Sequence, residues 1–147
     1  MTAPSERVFL DTNVLVYPYD RSEPGKQRRA RAVLAELAAT QTGVVSAQVL
    51  AEFFVTVTRK LAVPLPAASA LEQLACHLQL WKVVDVTGLL AAEAAAAASK
   101  YRLNYWDAQV WAAARLNQVP VVLSEDFSHG REIDGVRFVN PFVEDLP

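Results

Sequence analysis

Short apolar runs, each followed by a longer stretch with helical spacing, recur along this chain and restrict its fold more than any other feature. Arg7–Leu10 reads as a strand that stops at Asp11, and Val14–Val16 lead into a turn-like YPYD. Pro24-Gly25 opens a long helical pattern that Gly43 is expected to end, because glycine is a common stop just past a helix. Gly43–Ser46 reads as a second strand, Ser46 caps a helix over Ala47–Leu61, and the VPLP breaker separates it from a helix over Pro66–Leu80. Trp81–Val86 is a third strand, and Thr87 caps an alanine-rich helix through Arg102. A further helix starts at Asn104 or Tyr105 and ends near Gln118. Pro120–Leu123 is a fourth strand whose unbroken apolar run indicates burial on both faces, and Val136–Val139 reads as a fifth. Short strands alternating with longer helices make βαβ units, so the expected class is α/β with a parallel sheet of four to five strands.

Bulk properties narrow this further. A chain of 147 residues is expected to form a single domain over 1–147. With 52% hydrophobic and 20% charged residues it can bury a core, which excludes a disordered chain. The net charge of −2 does not mark a dedicated phosphate binder, which is usually basic. One cysteine, Cys76, excludes an internal disulfide and fits a reducing cytoplasm. The start, MTAPSERVFLD, lacks the basic and apolar regions of a signal peptide, and the GLLAAEAAAAAS stretch is too short and too weakly apolar for a bilayer, so no membrane association is expected. The alanine run would let two helices, or two subunits, approach closely.

Four acids sit where apolar segments end or polar ones begin: Asp11, Glu52, Asp107 and Asp126. The strands of a parallel sheet end on one edge, and ligands bind in the crevice beside those ends. Acids gathered there would make a cluster of negative charge that calls for a cation, and oxygen donors suit Mg²⁺ or Mn²⁺. Each acid also has an ordinary reading. Asp11, in DTN, is a turn former or, with Thr12 and Asn13, one of three polar groups at the ligand-binding edge. Glu52 lies opposite the stripe of Leu50, Phe53, Phe54, Val57 and Leu61, so periodicity makes it a solvated acid, but it stands early in a helix that begins where a strand ends. Asp107 shares a face with Val110, Trp111 and Ala114, where a carboxylate is costly unless bonded or ligating, or else it serves the helix dipole from the first turn. Asp126 is a turn acid or a ligand, with Ser124 supplying a hydroxyl, while Glu125 points the other way.

Other polar residues carry less. His129 is close to Asp126 but reads first as polar surface, His77 reads as a helix-face residue, and Lys26, Arg28, Arg29 and Arg31 read as a solvated basic face. Zinc spacing, glycine-rich nucleotide loops and a GxSxG elbow are all missing.

The segments FLDTNVLVY, SAQVLAEFF with its acid, YWDAQVWAAA and VVLSEDFSHG, in that order, resemble a PIN domain, and within that family the VapC-type toxins of bacterial toxin–antitoxin modules. The resemblance runs from Val8 to about Phe142 and includes the closing GVRFVNPF. It implies a compact three-layer α/β/α fold around a central parallel sheet. It also implies an acidic pocket that binds Mg²⁺ or Mn²⁺ and cuts single-stranded RNA. Carried over by position, the acids are Asp11, Glu52, Asp107 and Asp126, with Asn13, Ser124 and, to a lesser degree, Thr12 as polar helpers. A cognate antitoxin that occludes the pocket and a homodimer are implied as partners, and the helices of residues 47–80 are a candidate dimer surface.

The expected reaction is metal-dependent phosphodiester hydrolysis. Asp11 and Asp107 are expected as direct ligands, Asp126 as a ligand directly or through water, and Glu52 as a ligand or as acceptor of the attacking water's proton. Three other readings stand beside it. Phosphoryl transfer through an aspartyl phosphate at Asp11 wants a DxD that this sequence replaces with Asp11-Thr12-Asn13. A receiver-type signalling domain wants adjacent acids after the first strand and a lysine after the last, and has neither. An inactive relative whose acids only hold metal fits the same residues.

Overall fold

The computed structural model describes residues 6–143. Residues 1–5, on which the signal-peptide expectation partly rests, and residues 144–147 lie outside the described residues. Strand β1 (Val8–Leu10) leads into a short helix α1 (Thr12–Val16) and a 3₁₀ turn at Tyr17–Tyr19. There follow α2 (Pro24–Thr40), β2 (Gly43–Ser46), α3 (Ala47–Arg59), α4 (Ala67–Leu80), β3 (Lys82–Val84), α5 (Gly88–Tyr101), α6 (Tyr105–Leu116), β4 (Val121–Leu123), β5 (Glu132–Ile133) and β6 (Val136–Val139).

The strands form one sheet in the order β3-β2-β1-β4-β6-β5. All neighbours are parallel except β5 and β6. The chain winds from β1 outward to β3, then returns across to β4 on the other side of β1. Right-handed crossovers therefore place α1–α4 on one face and α5–α6 on the other. The contacts agree: α1 packs on α2 and α3, α3 on α4, while α5 packs on α6 and α6 on β4 and β6. Alanines make the second layer thin. Ala94 and Ala97 of α5 and Ala108, Ala112, Ala113 and Ala114 of α6 are buried, so the alanine run serves a helix pair within the chain. Phe9, Phe53, Phe138, Leu10, Leu15 and Leu123 fill the core without exposure above 1%. No helix among the described residues is long and apolar enough to cross a membrane.

Caps follow the sequence. Ser46 Oγ accepts from Val49 N at 3.2 Å, Thr87 Oγ1 from Leu90 N at 3.1 Å and Asn104 Oδ1 from Trp106 N at 2.9 Å. Each hydroxyl or amide oxygen occupies a backbone donor that the first helical turn leaves free.

Four details depart from the sequence reading. Val14–Val16 belong to a helix because Asp11 caps it, its carboxylate accepting from Thr12 N. Helix α2 is ended by Gln41 in the left-handed region at φ 57°, and not by Gly43, which already lies in β2. Gly43 has a different duty: a Cβ there would collide with the Trp81 ring. That ring cannot yield, since it is buried and its Nε1–H donates to His77 Nδ1 at 2.8 Å. His77 does lie on a helix face, that of α4, but the face is buried, and burial pushes its pKa down to about 4 and keeps it neutral. The fourth detail is β5. Asp134 and Gly135, at φ 46° and 84°, turn the chain into a two-residue hairpin, and Trp111 Nε1 holds the Ile133 carbonyl at 3.0 Å.

Candidate functional site

β1 and β4 are where the sheet order reverses, and their register sets the site. Leu10 lies opposite Leu123, so the residues that follow, Asp11 and Ser124, leave the sheet side by side. Asp11 N donates to the Leu123 carbonyl at 3.0 Å, and Ser124 Oγ donates to Asp11 Oδ2 at 2.7 Å. The other Asp11 oxygen accepts from Thr12 N at 2.8 Å. Asp11 is only 4% exposed, and the loss of hydration pushes its pKa up to about 7 even though Ser124 and Thr12 oppose the rise. Asp126 and Asp107 add to it by like-charge repulsion.

Ser124 also accepts from Asp126 N at 3.0 Å, which turns the chain after β4 and brings that carboxylate back toward Asp11. Asn13, the second residue of α1, donates to Asp126 Oδ2 at 3.2 Å and receives Glu125 N at 3.4 Å. Asp107 comes from the opposite layer, in the first turn of α6. One carboxylate oxygen from each of Asp11, Asp107 and Asp126 lies within 4.8 Å of the others. Burial raises the pKa of Asp107 and Asp126 as well. Beyond burial, Asp126 and Glu52 act on Asp107, and Glu125 and Glu52 on Asp126. Three converging carboxylates, each resisting ionisation, are a donor set that a hard divalent cation fits: all oxygen, close together and short of positive charge.

Glu52 stands just outside this trio. It is half-buried, not solvated as periodicity alone suggests, because α3 packs on α1 and the Thr12 hydroxyl donates to Glu52 Oε2 at 3.0 Å. A cleft of about 340 Å³ opens over the group, lined by Glu52 together with Asp11, Thr12, Asn13, Asp107 and Asp126. Glu125 turns away to α2, where it pairs with Lys26 at 2.9 Å and accepts from the Tyr17 hydroxyl. Lys26 is therefore engaged and not part of a solvated basic face, and its pKa is raised by that carboxylate and hydroxyl. Arg29 and Arg31 likewise donate to the carbonyls of Pro141 and Pro18, both at 2.8 Å. His129 lies apart from the carboxylate trio, its Nδ1 accepting from Asn140 N at 3.0 Å.

Two residues that sequence reading passed over join the layers. Gln48 Nε2 donates to Glu52 Oε1 at 3.3 Å and to the Trp106 carbonyl at 3.2 Å, while its Oε1 accepts from Gln109 Nε2 at 3.0 Å. Both amides are buried. Gln109 thereby fixes which way the Gln48 amide faces, and Gln48 ties Glu52 on α3 to the backbone beside Asp107 on α6. The only signal in the sequence was spacing: each glutamine lies within four residues of a candidate acid, on a helix otherwise rich in apolar residues. Gln48→Leu keeps the volume but strands the Gln109 amide in the interior. It is expected to cost about 1–3 kcal/mol, read as a lower urea midpoint at unchanged slope.

No curated protein matches the chain. Among solved structures, a toxin–antitoxin complex from Klebsiella pneumoniae superposes with a TM-score of 0.65 at 18% identity, covering 91% of this chain and 97% of that one. Mycobacterium tuberculosis VapC20, a toxin described as cleaving the sarcin-ricin loop, gives 0.60 at 19% identity, covering 81% and 89%. VapBC2 from Rickettsia felis, bound to a DNA fragment from its promoter, gives 0.65 at 16% identity, covering 89% and 96%. The fold is shared with all three. The model of the PIN domain matches residues 8–131, a span that reaches from β1 past Asp126 and takes in all four acids. The chain belongs to the PIN domain family.

Proposed function

We propose that this chain, as a single PIN-like domain over residues 1–147, is a metal-dependent endoribonuclease acting on single-stranded RNA, the toxin of a toxin–antitoxin pair working in the cytoplasm. The observation that carries the reading is the convergence of Asp11, Asp107 and Asp126 from three separate elements to within 4.8 Å. Asp11, Asp107 and Asp126 would hold Mg²⁺ or Mn²⁺. A divalent cation held there supplies Lewis-acid stabilisation of the charge that builds on a phosphate and activates water for in-line attack. The protein's own part is positional. Ser124 and Thr12 N aim Asp11, Asn13 aims Asp126, and the Asn104 cap sets the turn that carries Asp107. Glu52, held by Thr12 and Gln48 beside the trio, would accept the proton that the attacking water gives up.

Partners follow from similarity and from surface. The matched structures include toxins in complex with antitoxins, which supports a cognate antitoxin here. Helices α3 and α4 leave an apolar groove of about 440 Å³ between Leu50, Phe54, Val55, Leu71, Leu74 and Leu78. Leu71 and Leu78 are more than half exposed, the kind of patch that a protein partner or a second copy covers.

Purified protein incubated with a single-stranded RNA is expected to cleave it when Mg²⁺ or Mn²⁺ is supplied and to stop when EDTA is added. Undiminished cleavage in EDTA, or none in either metal, would overturn the proposal.

A further inference from the structure

The indole of Trp106 is the part of the cleft that the carboxylates and their helpers leave unexplained. Trp81 and Trp111 are buried, and each donates its ring N–H to a named acceptor within the fold. Trp106 is 57% exposed, yet it lines the same cleft as Asp11, Asp107 and Asp126. Its backbone is clamped on both sides: its N–H donates to Asn104 Oδ1 at 2.9 Å, and its carbonyl accepts from Gln48 at 3.2 Å. Tyr105 meets the ring edge-on, 5.1 Å between centroids and 81° between planes. A large flat ring with a fixed root and one supported side thus remains open to solvent, one residue from Asp107.

The cleft's charge selects what can meet that ring. Its five carboxylates, Asp20 among them, repel phosphate wherever no cation intervenes, while the faces of nucleobases are uncharged and stack on aromatic side chains regardless of sequence. Lys60, which lines the same cleft, offers a cation for a phosphate farther along a strand. Resting on the ribonuclease reading above, we propose that Trp106 is a stacking platform for an unpaired nucleobase beside the phosphate that faces Asp11, Asp107 and Asp126. Bases inside a duplex already stack on their neighbours and cannot reach the ring. The same residue therefore gives the site a reason to take single strands.

The test is a titration of a fluorophore-labelled single-stranded RNA into the unaltered protein, with Ca²⁺ in place of Mg²⁺ to hold the carboxylates without fast cleavage, following anisotropy and tryptophan emission together. The RNA is expected to quench emission in step with binding. Trp106→Phe removes that quench and keeps most of the affinity. Trp106→Ala weakens binding by roughly five- to a hundredfold, the range of one lost base stack. In the otherwise unaltered protein, Trp106→Ala is expected to raise KM far more than it lowers kcat. Binding with unchanged emission, or full affinity in Trp106→Ala, overturns stacking and leaves the indole to a protein partner. Equal quenching by a duplex of the same sequence overturns it too. The ribonuclease reading is judged separately. Cleavage by the unaltered protein without a quench keeps that reading and discards this one, and a quench without cleavage does the reverse. No RNA binding at all discards both.

Discussion

Asp11→Asn is expected to lower cleavage by about a thousandfold or more while the protein stays folded. Transition-state charge stabilisation by a bound metal is worth several kcal/mol, and each ~1.36 kcal/mol is a factor of ten in rate. Asn keeps the planar shape, so its oxygen can still receive Thr12 N and its amide can meet Ser124 Oγ once that hydroxyl rotates. What it removes is the one charge that the site holds most deeply, at 4% exposure. A second readout separates loss of metal from loss of fold. Mn²⁺ at about a hundred times its dissociation constant stabilises the native state by ~2.7 kcal/mol, so the unaltered protein should melt higher with metal and the variant should not. Retained cleavage, or an unchanged metal-dependent rise in the variant's melting temperature, would refute the role assigned to Asp11.

The second large effect is on stability against pH without metal. Burial raises the native Asp11 pKa from 3.8 to about 7, so the native state holds a proton that the unfolded chain gives up throughout that range. Where the native state binds more protons, stability falls as pH rises. The stability that protonated Asp11 contributes is thus fully present below pH 3.8 and is lost progressively until pH passes about 7. The loss amounts to about 4 kcal/mol. Asp11→Asn never ionises. Its metal-free form should therefore exceed the unaltered protein in urea midpoint at pH 8, and the gap should close toward pH 4. Protons and metal compete for the same carboxylate, so the metal concentration needed for half-maximal stabilisation should rise as pH drops below about 7. Parallel pH profiles for the two proteins would show that Asp11 ionises as freely in the fold as in water.

Both outcomes come from the same tension. Folding brings Asp11, Asp107 and Asp126 together at a cost that burial and repulsion impose, and a bound cation would offset it. Ser124, Asn13 and the Asn104 cap hold the carboxylates in place whether or not they carry charge.

The path from sequence to this site divides by distance along the chain. Strand and helix order, the Ser46, Thr87 and Asn104 caps, and the position of Asp11 at the end of β1 are all local. They depend on apolar spacing and on side chains that reach backbone three residues away or less, so neighbouring letters determine them. The Asp134-Gly135 hairpin was equally local and could have been read from its turn chemistry, though its two-residue strand is too short to show periodicity. Glu52 was not local. Its helix places it away from the apolar stripe, and only the packing of α3 on α1 turns that polar face toward the cleft, where Thr12, forty positions earlier, bonds it. The same holds for Gln48 with Gln109, for Lys26 with Glu125, and for the Trp106 ring at the rim of the acids. By itself, the sequence determined which groups exist and which local structure each one starts or ends. Which of them meet was decided by strand register and helix packing, because those contacts join residues whose separation leaves no periodic trace.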